Sequence, residues 1–166
     1  LRVFSATDGK LVRSWRAHED TVFDLDRSRD GAQVVSAGGD KLIKIWDVAQ
    51  MKEVARLEGH AGQVLAVAFN TNATQVVSGG SDKELKVWDV KTREKIIALG
   101  RPTAAVTAVA WPGEGKTIAA ATDAGAAFTY KNLKAHTGEQ SSASGDERRL
   151  GDAGAALFAV ASTKDG

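Results

Sequence analysis

One spacing constrains this chain more than its composition does. His18 returns 42 residues later as His60, and Trp46-Asp47 returns as Trp88-Asp89. Ser36, Asp40 and Lys41 return as Ser78, Asp82 and Lys83. Laying residues 1–42 on 43–84 without a gap also matches Lys10, Val12, Val22, Gln33, Val34, Val35 and Gly38. Laying 43–84 on 85–126 again matches Trp46 with Trp88, Asp47 with Asp89, Val64 with Val106 and Val67 with Val109. A gap-free period of this size means an array of small units, each too small to bury its apolar faces alone.

Each unit holds four short runs rich in Val, Ile and Leu, separated by turns. In the second unit they are 64–69, 75–79, 85–89 and 95–99. Such runs read as strands. Ile43-Lys44-Ile45 and Leu85-Lys86-Val87 alternate apolar and charged residues, as half-exposed strands should. Gly38-Gly39-Asp40-Lys41 and Gly80-Ser81-Asp82-Lys83 are tight-turn sequences: Gly takes positive φ, and Asp bonds nearby backbone. Four strands per unit make one antiparallel blade.

With His18, Asp40 and Trp46-Asp47 repeated as His60, Asp82 and Trp88-Asp89, the chain resembles the WD-repeat family of β-propellers. The resemblance implies an all-β fold of consecutive four-stranded antiparallel blades in an incomplete propeller. It also implies a hydrogen-bonded chain in each blade, from Trp to Ser to His to Asp. His18, Ser36, Asp40 and Trp46 form one such structural set, and His60, Ser78, Asp82 and Trp88 the other. The chemistry is sensible, because a buried indole needs an acceptor and a buried imidazole needs both nitrogens satisfied. Ser, His and Asp also compose hydrolytic triads. Their recurrence in successive units, each with a Trp for the Ser to serve, argues for structure and against catalysis.

The third unit lacks the set. Pro102, Ala120, Ala124 and Tyr130 stand where His, Ser, Asp and Trp are expected, and Lys131 follows Tyr130. Its strands are expected at 106–111, 117–121 and 126–130, held by packing. From Tyr130 to Leu157 the chain carries a longer connection than the one between Trp88 and Val106. The register divides the chain into 1–17, the end of a preceding blade; 18–59 and 60–101, two blades; 102–135, a degenerate blade; 136–154, an inserted polar loop; and 155–166, the first strand of a next blade. Cut at these points, two blade faces stay uncovered, so residues 1–166 alone are expected to aggregate or fold poorly.

Composition removes several classes. No Cys means no disulfide framework, no thiolate metal site, no Cys nucleophile and no thioether-attached haem. A net charge of +1 lacks the basic footprint of a nucleic-acid binder. No run reaches the roughly 18 apolar residues of a membrane helix. Residues 110–117 match a relaxed phosphate-loop pattern, but the register puts 112–116 in a turn between antiparallel strands rather than before a helix. His136 has no companion at metal-ligand spacing. No metal and no cofactor are expected.

The expected function is a non-catalytic scaffold that presents loop faces to other proteins, or to other domains of the same chain. On those loops Glu19, Asp20, Thr21, Lys41, Gln63 and Lys83 are the candidate partner contacts. Asp24 and Asp26 are candidate channel-lining residues on an innermost strand, where the next units have Ala66 and Ala68, and Ala108 and Ala110. They are expected to be solvated, to pair with Arg27 or Arg29, or to take a cation or a basic partner. The alternative is the propeller domain of a larger enzyme or of a c-type cytochrome-containing redox protein, with its chemistry outside this segment. The polar insertion beside simple repeats resembles bacterial WD-repeat proteins of the planctomycete type, which would place the protein in the cytoplasm or periplasm.

Overall fold

The computed structural model describes residues 1–99, 102–111, 117–134 and 144–152, with only the backbone course for 132–134 and 144–152. The hairpin turn expected at 112–116, His136 and the expected strand in 155–166 lie outside the described residues. All described regular structure is strand, so no described helix is long and apolar enough to cross a membrane.

A two-stranded ribbon comes first, β1 (Arg2–Phe4) with β2 (Leu11–Ser14). Three four-stranded antiparallel sheets follow in chain order. The first holds β3 (Val22–Arg27), β4 (Gln33–Gly38), β5 (Ile43–Asp47) and β6 (Lys52–Leu57). The second holds β7 (Val64–Phe69), β8 (Gln75–Gly80), β9 (Leu85–Asp89) and β10 (Lys95–Leu99). The third holds β11 (Val106–Ala110), β12 (Thr117–Thr122), β13 (Ala126–Lys134) and β14 (Ser144–Asp152). The fold is all-β, an open stack of blade-like sheets.

The repeat reaches the backbone. The register slips between Val22 and Asp24, between Val64 and Ala66, and between Val106 and Ala108, one bulge per inner strand. The turn after the second strand has positive φ at Lys41 (69°), Lys83 (63°) and Gly125 (80°). A left-handed conformation costs a lysine roughly 1–2 kcal/mol and a glycine almost nothing. The first two turns have an aspartate to hold that geometry. In the third, Ala124 replaces it, and glycine takes the strained position.

β14 corrects the expectation of a polar loop across 136–154. Ser144–Asp152 pairs antiparallel with β13, Thr129 opposite Arg148 and Tyr130 opposite Glu147, and supplies the fourth strand. An outer strand is recruited by the open backbone edge beside it. It needs no run of alternating apolar residues, so polarity alone was a poor guide.

The core lies between sheets. Ile43, Ile45 and Leu57 of the first sheet pack with Val64, Phe69 and Trp88 of the second. On the opposite face, Leu85, Val87 and Leu99 pack with Val106, Ile118 and Tyr130 of the third. The middle sheet is thus buried on both faces. Phe4, Leu11, Val12, Phe23 and Leu25 are the contrast, each 43–56% exposed on β1, β2 and β3.

Candidate functional site: buried tetrads and the loop ends they pin

Each tetrad begins with an indole that the core has buried. Trp46 is 5% exposed and Trp88 1%. Trp46 Nε1 donates to Ser36 Oγ at 2.9 Å, and Trp88 Nε1 to Ser78 Oγ at 2.8 Å. Ser36 Oγ lies 2.7 Å from His18 Nε2, and Ser78 Oγ 2.7 Å from His60 Nε2. His18 Nδ1 meets Asp40 at 2.8 Å, and His60 Nδ1 meets Asp82 at 2.8 Å. A neutral imidazole satisfies every partner: Nδ1–H donates to the carboxylate and Nε2 accepts the serine hydroxyl proton. Burial lowers the pKa of His60 despite the raising influence of Asp82, which favours that neutral form.

The carboxylates do more than hold imidazoles. Asp40 also accepts the N–H groups of Glu19 (3.1 Å) and Leu42 (3.2 Å). Asp82 accepts those of Ala61 (2.9 Å) and Glu84 (3.2 Å). Each aspartate therefore ties the loop before the inner strand to the turn between the second and third strands. Burial pushes both carboxyls up. Their hydrogen bonds from the histidines and the backbone outweigh it, and both sit below the ordinary carboxylate range.

The lysines correct the sequence expectation. Lys44 is 6% exposed and Lys86 3%, neither in water. Lys44 Nζ donates to Ala17 O at 2.7 Å and lies 4.0 Å from Asp40 and 3.8 Å from Glu53. Lys86 Nζ donates to Gly59 O at 2.6 Å and pairs with Glu84 and Asp82. Alternation was read as half-exposure, but these sheets bury both faces, so every charge on a third strand must find a partner. A signal existed: the lysine recurs with the tetrad, and Phe128 replaces it where the tetrad is lost.

Sequence reasoning also passed over Asp47 and Asp89 as individual side chains. Asp47 Oδ1 accepts Gln50 N–H, and Asp89 Oδ1 accepts those of Lys91 and Thr92, capping the turns into the outer strands.

The tetrads are poor chemistry. Ser36 and Ser78 are wholly buried, and each Oγ already serves an indole and an imidazole. A nucleophile needs an open approach and an oxyanion site. In the third sheet Ala120 and Tyr130 are buried and Ala124 is exposed. There Thr122 closes the turn, its Oγ1 accepting Ala126 N–H at 3.2 Å.

Glu19, Asp20, Thr21, Lys41, Gln63 and Lys83 are all exposed. The structure brings the first four onto one knitted pair of loops, where Gly39 N–H donates to Thr21 O at 2.7 Å. Gln63 and Lys83 sit on the equivalent pair in the second sheet, joined by Ser81 N–H to Gln63 O at 2.9 Å. Asp24 and Asp26 do line a groove across the inner strands. Neither pairs with Arg27 or Arg29 among the described ion pairs. Their carboxylates accept the N–H groups of Val67 (2.9 Å) and Phe69 (2.8 Å) on the next sheet. Burial raises the Asp24 pKa against the lowering effect of its two N–H bonds. Among the described residues, no three His, Cys, Asp or Glu side chains gather as metal ligands.

The WD domain, G-beta repeat (WD40) family model matches residues 9–47 and 51–89. Mitochondrial division protein 1 of Schizosaccharomyces pombe is 33% identical over 60 residues, 36% of this chain and 9% of that protein. Anaphase-promoting complex subunit cdc20 of Dictyostelium discoideum is 33% identical over 70 residues, 41% of this chain and 14% of that protein. A guanine nucleotide-binding protein subunit beta-like protein of Encephalitozoon cuniculi is 36% identical over 64 residues, 38% of this chain and 19% of that protein. The chain thus spans between 9% and 19% of the length of these relatives. All three organisms are eukaryotes, so the bacterial, planctomycete-type expectation is not borne out. Tetrad geometry, stacked four-stranded sheets and the family match agree on two tandem WD40 repeats, over 9–47 and 51–89.

Proposed function

We propose that this chain is a non-catalytic interaction scaffold whose loop ends hold partner proteins, or other domains of its own protein. One observation carries the reading. Asp40 and Asp82 each bond both loops that carry the exposed candidates, so buried chemistry positions surface side chains. Glu19, Asp20, Thr21 and Lys41 then form one mixed-charge cluster, and Gln63 with Lys83 a second. A surface of fixed backbone and exposed side-chain tips suits recognition, since less backbone freedom is lost on binding. The near-neutral charge favours protein partners over nucleic acid. The Dictyostelium relative is named as a subunit of a complex, in keeping with this role.

The test places a photo-crosslinking amino acid at Lys41, at Lys83 or at Lys52 on an outer strand, in the full-length protein in its own cells. Defined crosslinked partners at 41 and 83, absent at 52, are expected. Replacing the six loop residues by Ala should abolish those partners and leave the melting curve unchanged. Crosslinks confined to position 52, or partner capture unaffected by the loop replacement, would overturn the reading.

A further inference from the structure

In each of the first two sheets a lysine is buried beside the tetrad without belonging to its chain of bonds. Lys44 stands opposite Ser36, and Lys86 opposite Ser78, in the antiparallel register. Directly opposed residues share a face of a sheet, and so do residues two apart on one strand. Each lysine therefore lies on the face that carries the tetrad serine and the tetrad tryptophan, and its ammonium reaches the loop before the inner strand. Lys44 Nζ donates to Ala17 O at 2.7 Å, and Lys86 Nζ to Gly59 O at 2.6 Å. Ala17 and Gly59 are the residues immediately before His18 and His60.

Asp40 and Asp82 hold the other side of each histidine, through the N–H groups of Glu19 (3.1 Å) and Ala61 (2.9 Å). The same carboxylates lie 4.0 Å from Lys44 Nζ and 3.7 Å from Lys86 Nζ. Each histidine is thus bracketed. Lysine takes the carbonyl before it, aspartate takes the N–H after it, and the two form an ion pair. Glu53 (3.8 Å) and Glu84 (2.5 Å) add a second carboxylate to each ammonium. A buried ammonium is costly unless oxygens surround it. A loop carbonyl that moved away would leave the lysine short of an acceptor, so the loop is held by the cost of leaving. The third sheet lacks the whole arrangement. Phe128 stands opposite Ala120 at the lysine position, and Pro102 and Ala124 stand for the histidine and the aspartate. Lysine and tetrad are missing together, as parts of one device.

We propose that Lys44 and Lys86 are positioning residues of the two loop ends, each clamping the backbone in front of its tetrad histidine so that the exposed side chains beyond keep their places. Those side chains are Glu19, Asp20 and Thr21 in the first sheet and Gln63 in the second. The tetrad aspartate fixes the backbone after the histidine; the lysine fixes the backbone before it. The charge matters, because a neutral side chain of equal length neither bonds the carbonyl nor pairs with the aspartate. The proposal rests on the scaffold reading for what the loops serve. Loop order is measured without a partner, so the two readings fail separately.

The experiment compares amide hydrogen exchange in the full-length protein and in its Lys86→Met variant. Ala61 N–H, bonded to Asp82, and Ser81 N–H, bonded to Gln63 O, report the second pair of loops. Glu19 N–H and Gly39 N–H report the first pair, where Lys44 is untouched. In the variant Ala61 and Ser81 should exchange about tenfold faster, for one charge-assisted bond lost, with Glu19 and Gly39 at wild-type rates. A second readout separates charge from packing. Asp82, Lys86 and Glu84 are the charged groups that act on His60, and the Lys86 ammonium disfavours an imidazolium there. The His60 titration, followed by NMR, should move to higher pH in the variant, whereas loss of packing alone leaves it in place. Unchanged exchange at Ala61 and Ser81, equal acceleration in both loop pairs, or an unmoved His60 titration would overturn the proposal. Should the variant fail to fold, the unaltered protein labelled with ¹⁵N-lysine decides. A Lys86 ammonium signal that persists at neutral pH, where a solvated ammonium exchanges its protons too fast to be seen, supports the clamp; its absence refutes it.

Discussion

Asp40→Ala is the sharpest perturbation of the scaffold. The carboxylate takes His18 Nδ1–H at 2.8 Å, Glu19 N–H at 3.1 Å and Leu42 N–H at 3.2 Å, with Lys44 Nζ at 4.0 Å. Glu19 is exposed, so water replaces its bond at little cost. The His18 side chain is 0% exposed, so its Nδ1–H is left unsatisfied, at about 1–3 kcal/mol. The Lys44 side chain is 8% exposed and loses one of two nearby carboxylates, while keeping Ala17 O and Glu53. About 1 kcal/mol more is reasonable for that weak pair. The expected loss is therefore about 2–4 kcal/mol. Urea unfolding of the full-length protein measures it. A double-mutant cycle with His18→Ala should show a coupling of at least about 1 kcal/mol, since the two share one bond. Glu19→Ala, which removes only an exposed ion pair with Arg16, should stay within about 0.5 kcal/mol of wild type. An Asp40→Ala protein as stable as Glu19→Ala, or a cycle without coupling, would refute the reasoning.

Three further outcomes follow from the same geometry. His60 has a folded-state pKa below its ordinary 6.5, so the unfolded chain binds the extra proton first and stability falls as pH drops from 6.5 through the folded value. Asp40 and Asp82, also lowered, act in the same direction below 3.8, while Asp24, raised, works the other way above 3.8, as pH falls from its folded value. Melting temperatures between about pH 7.5 and 5 should therefore decline, and a rise would contradict the neutral buried imidazole. Lys86→Met removes a buried ammonium from Asp82, Glu84 and Gly59 O and should cost about 2–3 kcal/mol in urea unfolding; a neutral result would mean that Lys86 is solvated. Gly79→Ala sets a Cβ 2.7 Å from Val106 Cβ between the second and third sheets, and a loss of about 1–3 kcal/mol should appear in the same assay; no loss would mean that the sheets are less tightly stacked.

The repeat made the strands and tetrads legible because both depend on local spacing. His18, Ser36, Asp40 and Trp46 sit at fixed offsets within one sheet, and so do their copies. The features that escaped depend on what lies across a sheet or beyond its edge. Lys44 and Lys86 looked half-exposed because alternation indicates exposure only when one face of a sheet meets water. The donors that meet Asp24 and Asp26 belong to the next unit, 43 residues on, and no motif links an acid to an edge N–H at that distance. β14 was read as loop because an outer strand forms by backbone pairing and tolerates the polar run at 144–152. Loop positions such as Lys41 and Lys83 could be placed from register, but what they hold is not encoded by register.

Hydrogen exchange of the Trp46 and Trp88 indole N–H protons in the full-length protein tests the buried framework most directly. Each proton sits in a nearly inaccessible ring, bonded to a serine that is itself locked to His and Asp. Both should exchange only through large-scale opening, slowly and with similar protection, and Ser36→Ala should release Trp46 while leaving Trp88 protected. Indole protons that exchange at the rate of a solvated tryptophan would contradict the account.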